Sequence, residues 1–349
     1  MRGCALLAAP IGLRTKLRAR TMNPRAMCCT ALLIAVMISP STAGSQAAKR
    51  LHRIGILNGE PTVATPTIQG LKAGLSAEGL QEGRDLVFDI RPTQGEQAAA
   101  IKLAAVVANG KPDVIVTVGE HEARAASAAA PRIPVVFTKI GDPVAIGLVN
   151  SLSHPGGQLT GISDLIVDLV PKRLEIAIEL VPNLRRVLAV YHAQDPVSAA
   201  AARKALETAP RLRIRVEARS VETQTEAVRE LRTAGPRDVI LAPAIPNLDI
   251  TALVLNLNLY VVAPAIFANS FWVQAGGVAS YGVDQRAQGV QAARLVAKIL
   301  RGARPQDLPV ERADKIELTI NRKTIQAFGL MIPPSLEVRV DRVFEGIGE

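Results

Sequence analysis

The sequence has little cysteine and few aromatic residues, and each shortage excludes a class of function. Cysteine occurs three times in 349 residues, at Cys4, Cys28 and Cys29, and nowhere after them. Disulfides, thiolate nucleophiles and cysteine-ligated zinc are therefore excluded beyond that point. Aromatic residues make up 3% of the chain, which argues against a surface that stacks nucleic-acid bases.

The positive net charge is concentrated at the amino terminus. The formal charge is +10, and six of the 41 basic residues lie in the first 43 positions, where there is no acidic residue. The rest of the chain has 35 basic residues against 31 acidic ones. A basic binding face is not indicated, so we expect no nucleic-acid partner.

The amino terminus has the pattern of a secretory signal. An apolar run at 31–38 follows Arg25, and Pro40 with small residues at 41–43 comes after it. The run is too short to span a bilayer, and no later run is long enough. We predict a signal peptide over residues 1–43, with Met22 as an alternative start, and a soluble periplasmic protein after cleavage. A buried first helix is the alternative.

From Leu51 onward, short β-branched runs alternate with alanine-rich helical segments, which is typical of parallel α/β sheets covered by helices. Strands are predicted at 53–57, 86–90, 114–118, 135–138, 187–191, 214–219, 239–241, 261–266, 278–281 and 315–320. Helices are predicted at 67–78, 96–108, 120–129, 171–180, 198–209, 222–234, 284–301 and 322–328. Asp142 and Pro143 predict the start of one more helix. The fold class is α/β, with two doubly wound parallel-sheet lobes.

Motifs of catalysis and cofactor binding are missing. The sequence contains no GxGxxG, GxxxxGK[ST] or GxSxG, and its four histidines are 33 or more residues apart. His121 lies between Glu120 and Glu122, but neighbours on a helix point in different directions, and a solvated first turn explains them equally well. We therefore expect no enzyme activity, no cofactor and no metal.

One segment resembles a known family. Residues 137–165, FTKIGDPVAIGLVNSLSHPGGQLTGISDL, are similar to the characteristic segment of bacterial ABC-transporter substrate-binding proteins of the tryptophan/tyrosine type, which have a type I periplasmic-binding fold. Further matching segments follow the same order along residues 51–340: 53–57, 70–79, 172–175, 275–282, 300–309 and 315–321.

The resemblance implies two lobes that close on a small molecule and are joined by hinge crossings near 161–165, 281–284 and 309–315. The first lobe would comprise 51–163 with 284–308, and the second 164–283 with 309–349. The implied function is a periplasmic, monomeric solute-binding subunit that delivers a small polar or amino-acid-like solute to an ABC permease in the inner membrane. An exported ligand-sensing module that feeds a membrane receptor, or an α/β hydrolase, are the alternatives.

Ligands of open α/β sheets bind at the carboxyl ends of the strands, so the loops there are the candidate site. The candidates are Asn58, Gly59, Glu60, Gly119, Glu120, His121, Gly141 and Asp142 in the first lobe, His192, Ile245 and Tyr281 in the second, and Asp164 and Asp284 at crossings.

The candidate residues suggest roles for a zwitterionic ligand. Helix amino termini at Glu120 and Asp142 would offer N–H groups to a carboxylate, and Asp164, Glu60 or Asp284 would pair with an ammonium. Helix caps and surface charges are the alternative roles of these acids. Tyr281 and Trp272 would stack on an aromatic ligand or belong to the interlobe core. Many members of the family carry a small or hydroxyl-bearing residue where this chain has Glu120, so the ligand stays open.

Overall fold

A computed structural model describes residues 50–60, 62–242 and 263–346. The predicted leader and the second-lobe loop that contains Ile245 lie outside these residues. Among the described residues, no helix combines the length and apolarity needed to cross a membrane.

Strands and helices alternate along the described chain. The strands are β1 (His52–Asn58), β2 (Leu86–Pro92), β3 (Val114–Val118), β4 (Val135–Ile140), β5 (Leu159–Ser163), β6 (Arg186–Tyr191), β7 (Val216–Ser220), β8 (Asp238–Leu241), β9 (Ala265–Phe267), β10 (Ala279–Val283), β11 (Glu311–Arg312), β12 (Ile316–Asn321) and β13 (Arg342–Phe344). The helices are α1 (Pro66–Ala77), α2 (Gln97–Asn109), α3 (Glu120–Ala129), α4 (Val170–Leu180), α5 (Pro196–Leu212), α6 (Gln224–Leu231), α7 (Ser270–Gln274), α8 (Gln285–Leu300), α9 (Arg322–Ala327) and α10 (Pro334–Glu337).

The first sheet is fully parallel, with strand order β11-β5-β4-β3-β1-β2. Every residue of β3 is buried, as expected for a central parallel strand covered on both faces. One face packs against α1 and α8, and the other against α2 and α3. We call this sheet with its helices the first lobe.

Helix α8 packs on α1 through backbone contact. A Cβ atom on Gly289 would collide with the carbonyl oxygen of Thr67, and one on Gly70 would collide with that of Arg286. Small residues thus allow the two helices to approach closely. The helix that directly follows β10 of the second sheet therefore belongs to the first lobe.

The second sheet has the order β13-β12-β10-β9-β8-β6-β7. Strand β12 is antiparallel to β10, and the other pairs are parallel. Helices α4 and α5 contribute to the apolar cluster on one face, and α6 to the cluster on the other. We call this sheet with its helices the second lobe. Two parallel-dominated α/β sheets confirm the predicted fold class.

The chain passes between the sheets three times, after Ser163, at Asp284 and after Arg312. The last crossing differs from the proposed boundary at 308/309, because Glu311 and Arg312 pair with Ile162 and Ser163 of the first sheet. Gln291 of α8 holds this short strand by donating to Glu311 Oε2 at 2.9 Å and to the Arg312 carbonyl at 2.8 Å. The return to the second sheet therefore comes at 313–315.

The chain leaves strand β5 after Ser163, inside the segment 161–165. Strand β5 itself was not predicted; it is fully buried, and Gly161 lets it lie directly against Phe137. One local prediction was wrong. No helix follows Asp142, whose carboxylate instead accepts from the N–H groups of Val144 and Ala145 at 3.1 and 2.9 Å. The turn ends there because Gly147 adopts a positive φ of 70°.

Candidate functional site

The lobes meet where the first-sheet strands end. A Cβ atom on Gly141, just after β4, would lie 2.8 Å from Val197 Cγ1 in the first turn of α5. Val197 also belongs to the apolar cluster that contains Phe137 and Ile140 of β4. The second lobe therefore inserts a side chain into the first-lobe core at the mouth of the interlobe cleft.

A cavity lies between the lobes at the first two crossings, and we call it the hinge cavity. Its volume of about 10 Å³ is room for about one water molecule. It is lined by Asp164, Leu165, Ile166, Leu169, Arg173, Ala268, Asn269, Val283, Gln285 and Gln288. Residues of both lobes and of the crossings thus surround one polar space.

Asp164 is the acidic residue of the hinge cavity. Its backbone N–H donates to the Ile140 carbonyl at 2.7 Å, which fixes it at the end of β5 beside β4. Its carboxylate accepts a hydrogen bond from Gln288 Nε2. Burial raises the pKa of Asp164, and the positive charges of Lys139 and Arg173 only partly oppose that rise. The neighbouring groups of the protein therefore do not fully offset the cost of burying the negative charge of Asp164.

Arg173 is buried, with 3% of the residue exposed, and serves the hinge itself. Its Nε donates to the Tyr281 carbonyl and its Nη1 to the Ile166 carbonyl, both at 2.8 Å. Burial lowers the pKa of Arg173 to about 10, so the guanidinium stays charged at neutral pH. It ties α4 to the first crossing and to β10, where the second crossing begins.

Two glutamines at the start of α8 each leave one buried polar atom without a partner. Gln288 Oε1 and Gln285 Nε2 make no hydrogen bond within the described part of the chain. Both residues are buried, since only 1% of Gln288 and 9% of Gln285 are exposed to solvent. Buried polar atoms are nearly always paired. An unpaired acceptor and an unpaired donor in one cavity are typical of a site that a ligand or water completes.

The second group of polar residues is the first-lobe rim, the loops at 58–60, 119–122 and 139–142. Asn58 is buried and holds the first of these loops by donating from Nδ2 to the Thr62 carbonyl at 2.7 Å. Glu60 pairs with Lys139, whose Nζ lies 2.5 Å from Glu60 Oε1. Lys139 has a φ of 58°, at the irregularity in pairing between Phe137 and Ile140.

The buried side chain of Glu122 contacts two of the rim loops and the segment after β2. It is 2% exposed and accepts from the Thr93 hydroxyl beyond β2. Its carboxylate leaves no room for a Cβ on Gly119, and Oε2 would lie 3.1 Å from one on Gly59. Burial raises the pKa of Glu122. No sequence pattern predicted this role, because the neighbouring charges suggested a solvated turn.

Replacing Glu122 by glutamine should change how stability depends on pH. A raised folded pKa means that the wild type loses stability as pH rises from the unfolded value of about 4.5 through the folded pKa. Glu122→Gln removes that loss while keeping an acceptor for Thr93. We expect the stability of the variant relative to wild type to rise between pH 5 and 8, measured by urea unfolding.

The control for this experiment is Glu120→Gln, which changes the same group at a position of the same helix where the side chain is 33% exposed. If the stability difference between Glu122→Gln and wild type is equal at both pH values, the carboxyl of Glu122 does not titrate as described.

Comparison with known proteins identifies the family. Residues 56–344 match the family described as ABC transporter substrate binding protein. The chain belongs to this family. It is a family of non-enzymatic binding proteins, so the expected absence of catalysis and the resemblance seen in the sequence agree with the comparison.

Relatives of this substrate-binding protein include amino-acid binders. A tyrosine-binding protein from Clostridioides difficile is 27% identical over 291 residues, which cover 81% of this chain and 82% of the relative. The crystal structure of an ABC domain in complex with L-Trp from Streptococcus pneumoniae has a TM-score of 0.73 and 25% identity. A conserved domain protein from Vibrio cholerae has a TM-score of 0.73 and 29% identity. Both structural matches cover 84% of this chain and 100% of the other.

Several predicted site residues of the substrate-binding protein have structural partners. Asp284 is the N-cap of α8, accepts from two N–H groups of the first turn, and pairs with Lys315 Nζ at 2.7 Å. These bonds lower its pKa, because they outweigh the effect of burial. Glu120 pairs with Arg124 at 2.8 Å. Asp284 thus serves as a helix cap, and Glu120 forms an ion pair at the surface.

The second-lobe candidates lie at the cleft or in the core. The His192 N–H donates to Ser198 Oγ at 3.0 Å, in the first turn of α5, the helix that Asp195 caps. Burial raises the pKa of Asp195, and the negative charge of Glu120 across the cleft adds to that rise. Tyr281 packs against the second-lobe cluster. Trp272 stacks on Phe267 with ring centroids 6.3 Å apart, so it packs within the second lobe.

The structure therefore brings together Asp164 with residues that sequence reasoning missed, namely Arg173, Gln285, Gln288 and Asn269. Glutamines on a helix face carry no sequence signal of ligand contact, and only the crossing of α8 into the first lobe places them beside Asp164. The other candidate contacts stay predictions.

Proposed function

We propose that this protein captures an amino-acid-like solute between its lobes and delivers it to an ABC permease. The observation that carries the proposal is the hinge cavity, whose polar lining comes from both lobes at the points where the chain crosses. A ligand that contacts both sides favours the closed arrangement over the open one. The permease would then recognise the closed form.

The class of solute is supported by the relatives. One is named as a tyrosine-binding protein, and another was crystallised with L-Trp. The proposal has three further parts. The protein is exported to the periplasm through the segment 1–43, and it is monomeric. Its lobes are formed by 50–163 with 284–312 and by 164–283 with 313–346.

A thermal-shift screen tests the binding function directly. The full chain is expressed with its own leader, purified, and freed of carried-over ligand by partial unfolding and refolding. Each of the twenty amino acids is then added at millimolar concentration. A ligand at 100 times its Kd adds about 2.7 kcal/mol of stability, which is a shift of several degrees.

Small sugars, nucleosides and dicarboxylates are screened in parallel as controls. A shift that is confined to one of these classes would contradict amino-acid binding. Conversion of the bound ligand into a product, detected by mass spectrometry, would contradict a binding role and favour the hydrolase alternative.

A further inference from the structure

We infer that the end of the second lobe opposite the interlobe cleft binds anionic lipid headgroups through a cluster of arginines, which we call the arginine surface. It comprises one residue in the last turn of α5 and five residues in three loops, namely Arg211, Arg185, Arg213, Arg215, Arg232 and Arg237. The inference goes beyond solute capture and does not depend on it, because the loops lie at the other ends of the strands.

Three neighbouring strands place these loops side by side. Strands β8, β6 and β7 are adjacent and parallel, and the loops at 181–185, 213–215 and 232–237 lead into β6, β7 and β8. Backbone hydrogen bonds join the loops, since the Arg185 N–H donates to the Arg237 carbonyl at 2.7 Å. Neighbouring strands lie about 4.8 Å apart, so the arginines share one short edge of the sheet.

The charge of these loops has one sign. Together they contain five arginines and no acidic residue. The loops at the same edge of the first sheet, which lead into β2, β3 and β4, contain three basic and four acidic residues over 78–85, 110–113 and 130–134. The excess of positive charge is therefore a property of the second lobe. The charge of the whole chain did not reveal it, because acidic residues elsewhere balance it.

Two acidic side chains lie beside the arginine surface, and both are engaged. Asp238 is fully buried and accepts from Arg185 Nε at 2.8 Å. The side chain of Glu217 is 14% exposed and pairs with Arg215 at 2.7 Å. Arg186, at the start of β6, pairs with both carboxylates, at 3.1 and 2.6 Å. These two carboxylates thus serve three arginines, so a positive charge is left over.

Three further arginines have no partner among the described residues. Arg211, Arg213 and Arg237 are exposed, and none of them makes a hydrogen bond or an ion pair there. A guanidinium stays protonated throughout the physiological pH range. Three uncompensated positive charges are therefore available at this end of the lobe.

The chemistry of the arginine surface fits the phosphate groups of lipids. A guanidinium presents a planar fork of donors that matches two phosphate oxygens. None of the large apolar side chains in the three loops is exposed, whereas the centre of a protein–protein interface is apolar. Basic residues, in contrast, are attracted to an anionic bilayer by charge alone. A lipid surface therefore suits these loops better than a protein partner does.

Vesicle flotation tests the inference with protein that has been exported by its own leader. The vesicles consist of phosphatidylcholine alone or with about 30% phosphatidylglycerol. We expect wild type to bind only the anionic vesicles at about 150 mM salt. Binding should be lost at about 500 mM salt, because salt screens the attraction.

A triple variant locates the surface. Arg211→Gln, Arg213→Gln and Arg237→Gln together remove three charges without breaking an ion pair among the described residues. Each arginine near an anionic surface contributes about fivefold in affinity. We expect the triple variant to bind the anionic vesicles at least about 20-fold more weakly than wild type. Its affinity for solute should stay unchanged, because the cleft lies elsewhere.

A matched control removes the same number of charges from the first lobe. It combines substitutions of three exposed basic residues without a partner among the described residues, namely Lys102→Gln, Lys111→Gln and Arg132→Gln. We expect this control to bind within about threefold of wild type. Wild type and both variants share one amino terminus, so its basic residues affect all three equally. Thermal unfolding verifies that the variants fold.

The outcomes separate this inference from the proposed function. Equal binding of the two triple variants overturns the arginine surface. Release of wild type by millimolar glycerol phosphate would assign the arginines to a soluble phosphate ester and overturn the lipid assignment. Binding to polyglutamate but to no vesicle would point to an acidic protein and also overturn it. Each of these results leaves solute capture intact, and a protein that binds anionic vesicles but no solute would overturn solute capture alone.

Discussion

Replacing Gly289 by leucine is expected to lower the free energy of unfolding by about 3 kcal/mol or more. Gly289 is the point where α8 touches α1, and a Cβ there would collide with the Thr67 carbonyl oxygen. Backbone atoms of a packed helix cannot rotate away as a side chain can, so the helices must separate. Their separation would also open the apolar cluster beneath them.

Urea unfolding followed by circular dichroism measures this effect. Lys298→Leu is the matched control, because it places the same side chain at an exposed position of the same helix. We expect that control to change stability by less than about 0.5 kcal/mol. A Gly289→Leu protein as stable as the control would show that α8 does not pack on α1 as described.

Replacing Asp238 by alanine is expected to cost about 3 to 5 kcal/mol. Asp238 is fully buried at the start of β8. It accepts from Arg185 Nε at 2.8 Å, from Arg186 Nε at 3.1 Å and from the Gly235 N–H at 2.8 Å. Alanine would leave Arg186, whose side chain is 12% exposed, with a buried charge that loses a main partner.

Asp238 should also make the free energy of unfolding depend on pH in the acidic range. These bonds lower the pKa of Asp238 to about 2 from the ordinary 3.8. A lowered folded pKa contributes stability that is present above pH 4 and is lost as pH falls through 2. The shift corresponds to roughly 2 kcal/mol. Unfolding measured from pH 6 to 2.5 should show that loss in wild type and a smaller one in Asp238→Ala.

Asp307→Ala serves as the control for this experiment, because it removes an exposed ion pair with Arg304 that contributes little to stability. Equal acid sensitivity of wild type and Asp238→Ala would assign the acid-dependent loss to other groups.

Local pattern was sufficient for most elements of the fold. Strand β3 and helix α3 lie within the predicted bounds, since a run of buried β-branched residues and an alanine-rich segment after a glycine each have one favoured conformation. The same reasoning failed for β5 and β13, which are short and lie towards the edges of their sheets. β5 is held between β4 and the distant β11, and β13 pairs with β12 at the edge of the second sheet, so pairing between strands and not local pattern sets their conformation.

Some residues of the candidate site could likewise be predicted from the sequence, and others could not. Loops at the carboxyl ends of the strands follow from the βαβ order, so Asp164 and the first-lobe rim were accessible to sequence reasoning. Glu122 was not, because its burial depends on Thr93 and Gly59 from other loops. Gln285 and Gln288 were not, because a helix pattern does not say which lobe the helix covers.

By itself, the sequence determined the class of the protein: an α/β chain without cysteine after Cys29, without a catalytic motif, and with a segment shared by substrate-binding proteins. Only the tertiary structure decided which polar groups meet. Three crossings between two sheets bring Asp164, Arg173 and Gln288 together from positions up to 124 residues apart, and burial at that junction alters the pKa of the charged groups and leaves amide atoms unpaired. Such proximity depends on packing across the whole fold, and no local pattern encodes it.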